Sequence, residues 1–148
     1  MKLLSALGWI MGFMLTLPAS AELQIEVTQG ADDAVNIAVV PFAWLGRGEL
    51  PEELHRVIAS DLQLSGRFEA LEVNQMLSLP SESDDVYVRD WELLNTEYLV
   101  LGQIKESGAD LSLHYELYDV FKGAVVFQQT IVGRDLDLRD MGHHVSDA

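Results

Sequence analysis

Three β-patterned runs stand close together in the C-terminal half of this sequence, and they restrict the fold more than any other feature. The runs cover residues 98–104, 111–120 and 124–132. Turn-forming residues separate them at 107–110 and 121–123. Apolar residues alternate with a period of two, and connections this short join neighbouring antiparallel strands. We therefore predict an antiparallel meander, and one face of its second strand would carry Leu111, Leu113, Tyr115 and Leu117.

A continuous β-branched run precedes the meander at residues 36–42. Such a run is typical of a strand that is covered on both faces. Pro41 should mark its end because proline cannot donate a hydrogen bond to the ladder. Residues 44–48, with two glycines, predict a flexible loop.

A helix is predicted to follow this loop. Pro51 suits its first position, while Glu52 and Glu53 suit the positive end of its dipole. Gly66 predicts its C-terminal stop. The apolar stripe that would face the sheet consists of Leu54, Val57, Ile58 and Leu62.

The pattern is weaker between this helix and the meander. Residues 67–73 predict a short strand, and the polar stretch that follows, through Asp85, predicts a mobile loop. A second, shorter helix is expected over residues 88–94.

A last helix is predicted after the meander. Asp135 or Asp137 would cap it, and its apolar positions are Leu138, Met141 and Val145. It is expected to be still running at Ala148. With the early strand described below, the order β-β-α-β-α-β-β-β-α indicates an α/β (α+β) mixed sheet with flanking helices.

The first 21 residues are typical of a secretory signal peptide. Lys2 supplies the positive start, residues 3–17 are apolar, and Ala19, Ser20 and Ala21 form a small-residue cleavage site. The alternative, a transmembrane anchor, needs about 20 apolar residues, and this stretch is shorter. We therefore expect an exported protein, with cleavage between Ala21 and Glu22, which in a Gram-negative bacterium would be periplasmic.

Net charge limits the partners of the exported chain. The whole sequence carries a formal net charge of −15, and loss of Lys2 makes the mature chain one unit more acidic. Such a surface repels phosphates, so nucleic acid and stable membrane insertion are not expected. The sequence has no cysteine, so the protein can form no disulfide and carries no thiol to which a lipid anchor could be attached.

A short alternating segment at residues 23–27 follows the predicted cleavage site. Gly30, Asp32 and Asp33 would form a hinge after it. A strand attached in this way can pair with its own sheet as a plain edge strand, or with the exposed edge of another protein by β-augmentation. The pattern alone leaves both interpretations open.

The common catalytic signatures are absent: there is no P-loop, no G-x-G-x-x-G after a strand, no H-E-x-x-H and no G-x-S-x-G. His143, His144 and Asp147 are the best metal candidates, because a helix places His143 and Asp147 on one face. A solvated or packed helix turn is the favoured interpretation, since a metal site needs about three or four protein ligands, and no metal site is predicted. No cofactor is predicted.

The acidic pairs Asp32 with Asp33, Glu52 with Glu53 and Asp84 with Asp85 are interpreted as solvated loop or helix-start residues.

Three large aromatic residues allow a second interpretation. Phe42, Trp44 and Trp91 would either line a small-ligand pocket or pack in the core. Core packing is favoured, because large aromatic side chains contribute much of the energy of protein cores.

Several segments, taken in order, resemble the family of TolB N-terminal domains. They are residues 22–30 directly after the signal, residues 38–42 with Trp44, Gly46 and Gly48, and residues 60–68, 98–104, 113–119 and 138–147. The likeness runs over essentially the whole mature chain. It implies a mixed-sheet domain similar to anticodon-binding domains, which in full-length members precedes a six-bladed β-propeller. There is no β-propeller in this chain, so a truncated product is expected, with domains at 1–21 (signal), 22–33 (segment and hinge) and 34–148.

The resemblance also implies partners. In TolB-like proteins of the periplasmic Tol-Pal system, the mature N-terminus binds the C-terminal domain of TolA, and the propeller is the main docking surface for the lipoprotein Pal. We thus expect a non-enzymatic adaptor in envelope constriction at division, with TolA as partner and Pal in doubt. By this likeness, the TolA-binding residues are Glu22, Leu23, Gln24, Ile25, Glu26, Val27, Thr28, Gln29 and Gly30.

Overall fold

One mixed sheet and three helices make up the part of the chain that the computed structural model describes, which is residues 34–50, 53–134 and 138–148. The sheet order is β3-β1-β4-β5-β6, and β2 lies beside β4 as well. The strands are β1 (Val35–Val39), β2 (Ala43–Leu45), β3 (Phe68–Ala70), β4 (Tyr98–Ser107), β5 (Asp110–Asp119) and β6 (Ala124–Arg134). The helices are α1 (Leu54–Leu64), α2 (Val88–Leu93) and α3 (Leu138–Ser146).

The mixed-sheet class is confirmed, and these residues form no closed propeller. The described part has the predicted order of strands and helices, β-β-α-β-α-β-β-β-α. Its first two strands are β1 and β2, however, whereas the prediction placed them at 23–27 and 36–42. Outside the described residues lie the predicted signal peptide, the predicted strand at 23–27, Pro51, Glu52, Asp135 and Asp137.

The run predicted as one strand over 36–42 is a strand only as far as Val39, and a separate strand, β2, begins after the run at Ala43. β1 and β2 both pair in parallel with β4, through Ile37 with Tyr98 and Ala43 with Gln103. Pro41 interrupts the ladder between them because it has no backbone N–H. The prediction of a loop over 44–48 was therefore wrong at Trp44, which pairs with Ile104 within β2.

The antiparallel meander is confirmed. β4 pairs with β5 along its whole length, from Tyr98 opposite Asp119 to Ser107 opposite Asp110. β5 then pairs with β6, and a bulge interrupts the register between Leu117 and Tyr118.

The two faces of the sheet carry separate cores. On the helix face, α1 and α3 cover side chains such as Ile37, Ile104 and Leu113. We call the opposite face the loop face. The segment 71–97, which includes α2, packs on this face through Trp91, whose side chain is 0% exposed. Both faces of β1 and β4 are thus buried, in keeping with their continuous apolar sequence.

Helix α1 begins later than predicted. It starts at Leu54, because Glu53 has φ −79° and ψ 79°, outside the helical region. The predicted stripe is largely confirmed, since Leu54, Ile58 and Leu62 are buried. Gly66 ends the helix as expected, with a φ of +70°, which a residue bearing a Cβ adopts only with strain.

Helix α3 ends at Ser146 and does not run to Ala148 as predicted. The Ser146 hydroxyl oxygen lies 2.8 Å from the carbonyl oxygen of His143, which accepts a hydrogen bond from the backbone N–H of Asp147 at 3.1 Å. The last turn of the helix thus ends on a backbone hydrogen bond.

The stretch predicted as a mobile loop is anchored to the sheet. The preceding strand covers only Phe68–Ala70, and two short 3-10 turns follow at Val73–Gln75 and Ser83–Asp85. Met76 and Val86 pack against the Trp91 core, which gives this polar stretch the buried contacts that its composition did not indicate.

Candidate functional site

The predicted TolA-binding residues Glu22, Leu23, Gln24, Ile25, Glu26, Val27, Thr28, Gln29 and Gly30, and the hinge residues Gly30, Asp32 and Asp33, lie outside the described residues. The structure does describe the point at which that segment joins the body. Ala34 leads directly into β1, and the backbone N–H of Val35 donates to the carbonyl oxygen of Arg67 at 2.9 Å. β1 is an inner strand, held by β3 on one side and β4 on the other. The segment is therefore joined directly to an inner strand of the sheet.

A groove of about 680 Å³ opens on the helix face at this end of the sheet. Its lining runs from Val35 and Phe68 across the strands to Phe127 and is closed on one side by Val145 near the end of α3. Most of these side chains are apolar, which suits the side chains of a bound peptide or ligand. The guanidinium of Arg67 lies 5.9 Å from the ring centroid of Phe68 at one side of the groove.

A polar cluster ties the loop face to the segment above it. The backbone N–H of Ser83 donates to Oε2 of Glu116 at 3.0 Å, and Nε2 of Gln103 donates to Oε1 of Glu82. His114 extends the cluster, with Nε2 3.4 Å from Oε1 of Glu116. This nitrogen must donate because a carboxylate can only accept, so in the neutral ring Nδ1 accepts from the Thr130 hydroxyl at 3.0 Å.

The three metal candidates are not brought together in one site, and His143 instead contacts α1. His143 donates from Nδ1 to Oδ2 of Asp61 on α1, and the Ser146 hydroxyl donates to the same oxygen at 2.9 Å. Partial burial raises the pKa of Asp61, but the two hydrogen bonds outweigh it and hold that pKa below its usual value. Within the described ranges, no three His, Asp or Glu side chains lie close enough to hold a metal ion, and His144 and Asp147 are exposed.

Asp61, His143 and Ser146 do not form a catalytic triad despite their chemical types. A triad needs a hydrogen bond between the serine hydroxyl and the second nitrogen of the histidine. Here the serine and the histidine both donate to one carboxylate oxygen, so no base is aimed at the hydroxyl. The arrangement is a clamp between α1 and α3.

The aromatic residues Phe42, Trp44 and Trp91 do not share a pocket. Phe42 and Trp44 belong to the core on the helix face, while Trp91 is buried in the core on the loop face. The Nε1–H of Trp44 donates to the carbonyl oxygen of Gly48, which closes the turn after β2. The interpretation as a ligand-stacking cluster was therefore wrong.

The acidic pairs that the structure describes are surface features. Glu53 contacts Arg56 at 2.7 Å, and Asp84 and Asp85 lie in an exposed 3-10 turn. Asp32, Asp33 and Glu52 are outside the described residues. None of the described helices is long and apolar enough to cross a membrane.

Sequence reasoning missed two features. The Asp61 clamp has no signal in the sequence, because its partners are 82 and 85 residues away. The uncharged edge of β6 does have a signal in the sequence, since no charged residue occurs between Lys122 and Arg134.

Comparison with known proteins places the sequence in one group. The sequence pattern of the TolB amino-terminal domain matches residues 23–126. The Tol-Pal system protein TolB of Pseudomonas syringae pv. tomato is 36% identical over 138 residues, which cover 93% of this chain and 32% of that protein. TolB of Hahella chejuensis is 38% identical over 132 residues, 88% of this chain and 31% of that protein. The chain thus spans about a third of the length of the curated relatives that it matches.

Solved structures give the same grouping. The crystal structure of TolB from Acinetobacter baumannii superposes with a TM-score of 0.65 and 32% identity, over 78% of this chain and 27% of that one. The C-terminal domain of LpoB from Salmonella enterica superposes with a TM-score of 0.58 over 72% of this chain and 87% of that one. The LpoB domain is only 13% identical, so it shares the fold and nothing more is inferred from it.

Proposed function

Because this chain belongs to the TolB amino-terminal domain family, we propose that it acts as a non-enzymatic periplasmic adaptor of the Tol-Pal system. Its mature N-terminal segment, residues 22–30, binds the C-terminal domain of TolA, and this contact contributes to envelope constriction during division. Pal is not proposed as a partner of these residues, since the described part of the chain contains no propeller.

The attachment of the segment to β1 is the observation that carries this proposal. A strand that binds a partner passes the force of that contact to the domain only if the other end of the strand is fixed to the domain. Val35 follows the segment closely and is paired into an inner strand of the sheet. The alternation of Leu23, Ile25 and Val27 with polar residues supplies one apolar face and a full set of backbone groups for β-augmentation.

The charge of the chain supports a protein partner with a basic edge. The chain carries a formal net charge of −15, so long-range attraction speeds its encounter with a positively charged surface. Repulsion between like charges disfavours acidic partners. The contribution is screened by salt, so the association rate should fall as ionic strength rises.

Calorimetric titration of the C-terminal domain of TolA into the protein tests the proposal. Deletion of residues 22–33 should abolish binding. Replacement of Leu23, Ile25 and Val27 by serine should weaken it by at least about tenfold, since each buried apolar side chain contributes about 1.5 to 3 kcal/mol.

The matched control replaces the other face of the same segment, with serine at Gln24 and Thr28. This variant keeps the backbone and the apolar face, so its affinity should stay within about threefold of the original. Unchanged binding after the deletion would rule out this segment as the TolA site.

A further inference from the structure

Strand β6 ends the sheet with a long uncovered edge. It comprises Ala124–Arg134, and within the described part of the chain only β5 pairs with it. Soluble proteins usually protect such an edge with a charge, a proline or a cover, because its free N–H and C=O groups pair readily with another strand. β6 has no charged residue and no proline before Arg134.

A bulge protects only the first part of this edge. It disturbs the register between Leu117 and Tyr118, where β6 contributes Val125 and Val126. From Phe127 onwards, the pairing with β5 is regular up to Arg134. Phe127 is 39% exposed and Val132 is 68% exposed, so apolar surface accompanies the free backbone groups.

The helix face beside this edge is apolar apart from Gln129, whose Oε1 accepts a hydrogen bond from the Tyr115 hydroxyl at 3.0 Å. Phe127 and Ile131 point to that face, because they pair with Leu117 and Leu113 of the helix-face core. Phe127 also forms one side of the groove that Val145 closes from α3. A strand added to β6 would therefore place alternate side chains beside apolar surface.

The loop face beside the same edge is acidic. Gln128, opposite Glu116 in the register, is uncharged and exposed. Glu116 holds the turn that carries Asp84 and Asp85, through the N–H of Ser83. The remaining side chains of an added strand would lie on the same face of the sheet as these carboxylates, and basic side chains there would be attracted by the net negative charge of the chain.

We propose that the outer edge of β6 binds an extended strand of a partner protein, with apolar residues on one face and Lys or Arg on the other. The backbone of β6 supplies the pairing, the groove beside Phe127 takes the apolar face, and the loop-face carboxylates attract the basic face. This surface is distinct from the proposed TolA-binding segment, and the inference does not depend on that proposal.

A synthetic peptide of alternating lysine and valine is the probe. Its binding to the full chain, exported and purified, is measured by fluorescence anisotropy, and a peptide with the same composition in two blocks is the reference. The alternating peptide should bind at least about tenfold more tightly than the block peptide. Equal binding of the two would overturn the proposal, because net charge alone would then explain it.

The variant Val132→Lys places a charge on the edge and should weaken binding of the alternating peptide by about tenfold. Leu93→Lys is the matched control, since Leu93 on α2 is 73% exposed and the change in net charge is the same. Gln128→Lys is a second edge variant, used if Val132→Lys lowers the melting temperature. An equal effect of the edge variants and the control would contradict β6 as the site.

Two other occupants of the edge have their own outcomes. If a second copy covers β6, sedimentation will show a dimer that Val132→Lys dissociates and Leu93→Lys does not. If residues 22–33 cover it, their deletion will tighten peptide binding by about tenfold or more. Either result would overturn the proposal of a basic partner strand.

Discussion

His143 on α3 donates a hydrogen bond from Nδ1 to Oδ2 of Asp61 on α1, a residue that lies 82 positions earlier. The bond joins the last described helix to the first, and Ser146 strengthens it by donating to the same oxygen. The carboxylate thus holds α3 against α1 through two donors.

Replacing Asp61 by asparagine should destabilise the protein at neutral pH by about 1 to 2 kcal/mol, since a neutral amide oxygen is a weaker acceptor than the carboxylate at this partly exposed site. The hydrogen bonds hold the pKa of Asp61 below 3.8, its value in an unfolded chain. Its contribution is therefore present above pH 3.8 and lost as the pH falls through the folded pKa. Urea unfolding at a series of pH values measures this difference.

Asp84→Asn is the control for this variant, because it removes the same charge from an exposed turn. It should change the free energy of unfolding by less than about 0.5 kcal/mol. If the two variants have the same stability at pH 7, the clamp contributes nothing.

His55 should make stability sensitive to mild acid. Burial lowers the pKa of His55 below 6.5, so the folded chain favours the neutral imidazole. The stability that the neutral imidazole allows is present above pH 6.5 and is lost as the pH falls through the pKa of His55 in the folded protein. His55→Gln should therefore flatten the dependence of the unfolding free energy on pH between about 6.5 and 5. His144→Gln, at an exposed position of α3, is the matched control, and a flat profile in the original protein would contradict the prediction.

Gly102→Ala should destabilise the sheet by about 1 to 3 kcal/mol through overpacking. A Cβ at this position would lie 2.7 Å from the carbonyl oxygen of His114 and 3.2 Å from the ring of Phe42. The backbone oxygen cannot move away without disturbing the pairing of β4 with β5. Thermal unfolding measures the loss, and Ser112→Ala in β5 is the small-residue control. Equal melting temperatures for Gly102→Ala and the original protein would show that the strand adapts.

Glu116→Gln should loosen the turn at Ser83–Asp85 and leave the sheet intact. The variant replaces the charged acceptor of the Ser83 N–H by a neutral one, which is the weaker partner in such a bond. The Ser83 amide should then exchange with deuterium several times faster, while the amides of β4 are unaffected. Asp85→Asn is the matched control, and equal exchange in all three proteins would mean that the turn is held by Met76 and Val86 alone.

The meander was predictable because its evidence is local. Alternation in Leu111, Leu113 and Tyr115 specifies which face is buried, and short turns specify which strands are neighbours. The predicted helices α2 and α3 were found for the same reason, since their apolar positions follow the helical period.

The rest depended on contacts between distant residues. β2 is only three residues long and follows Pro41, so local pattern favoured a loop, while pairing with Gln103 to Lys105 makes it a strand. The polar segment through Asp85 looked mobile because its anchor, Glu116, is 33 residues away. The clamp partners of Asp61 are further still, and no period in the sequence connects them.

The position of β1 has a mechanical consequence. Its neighbours β3 and β4 both run parallel to it, and the chain enters it at Val35. A pull on the preceding residues along the axis of β1 would load its hydrogen bonds on both sides in shear, all at once, whereas a terminal strand peeled sideways loses them one after another. Tension applied at the N-terminus would therefore be borne by the whole sheet.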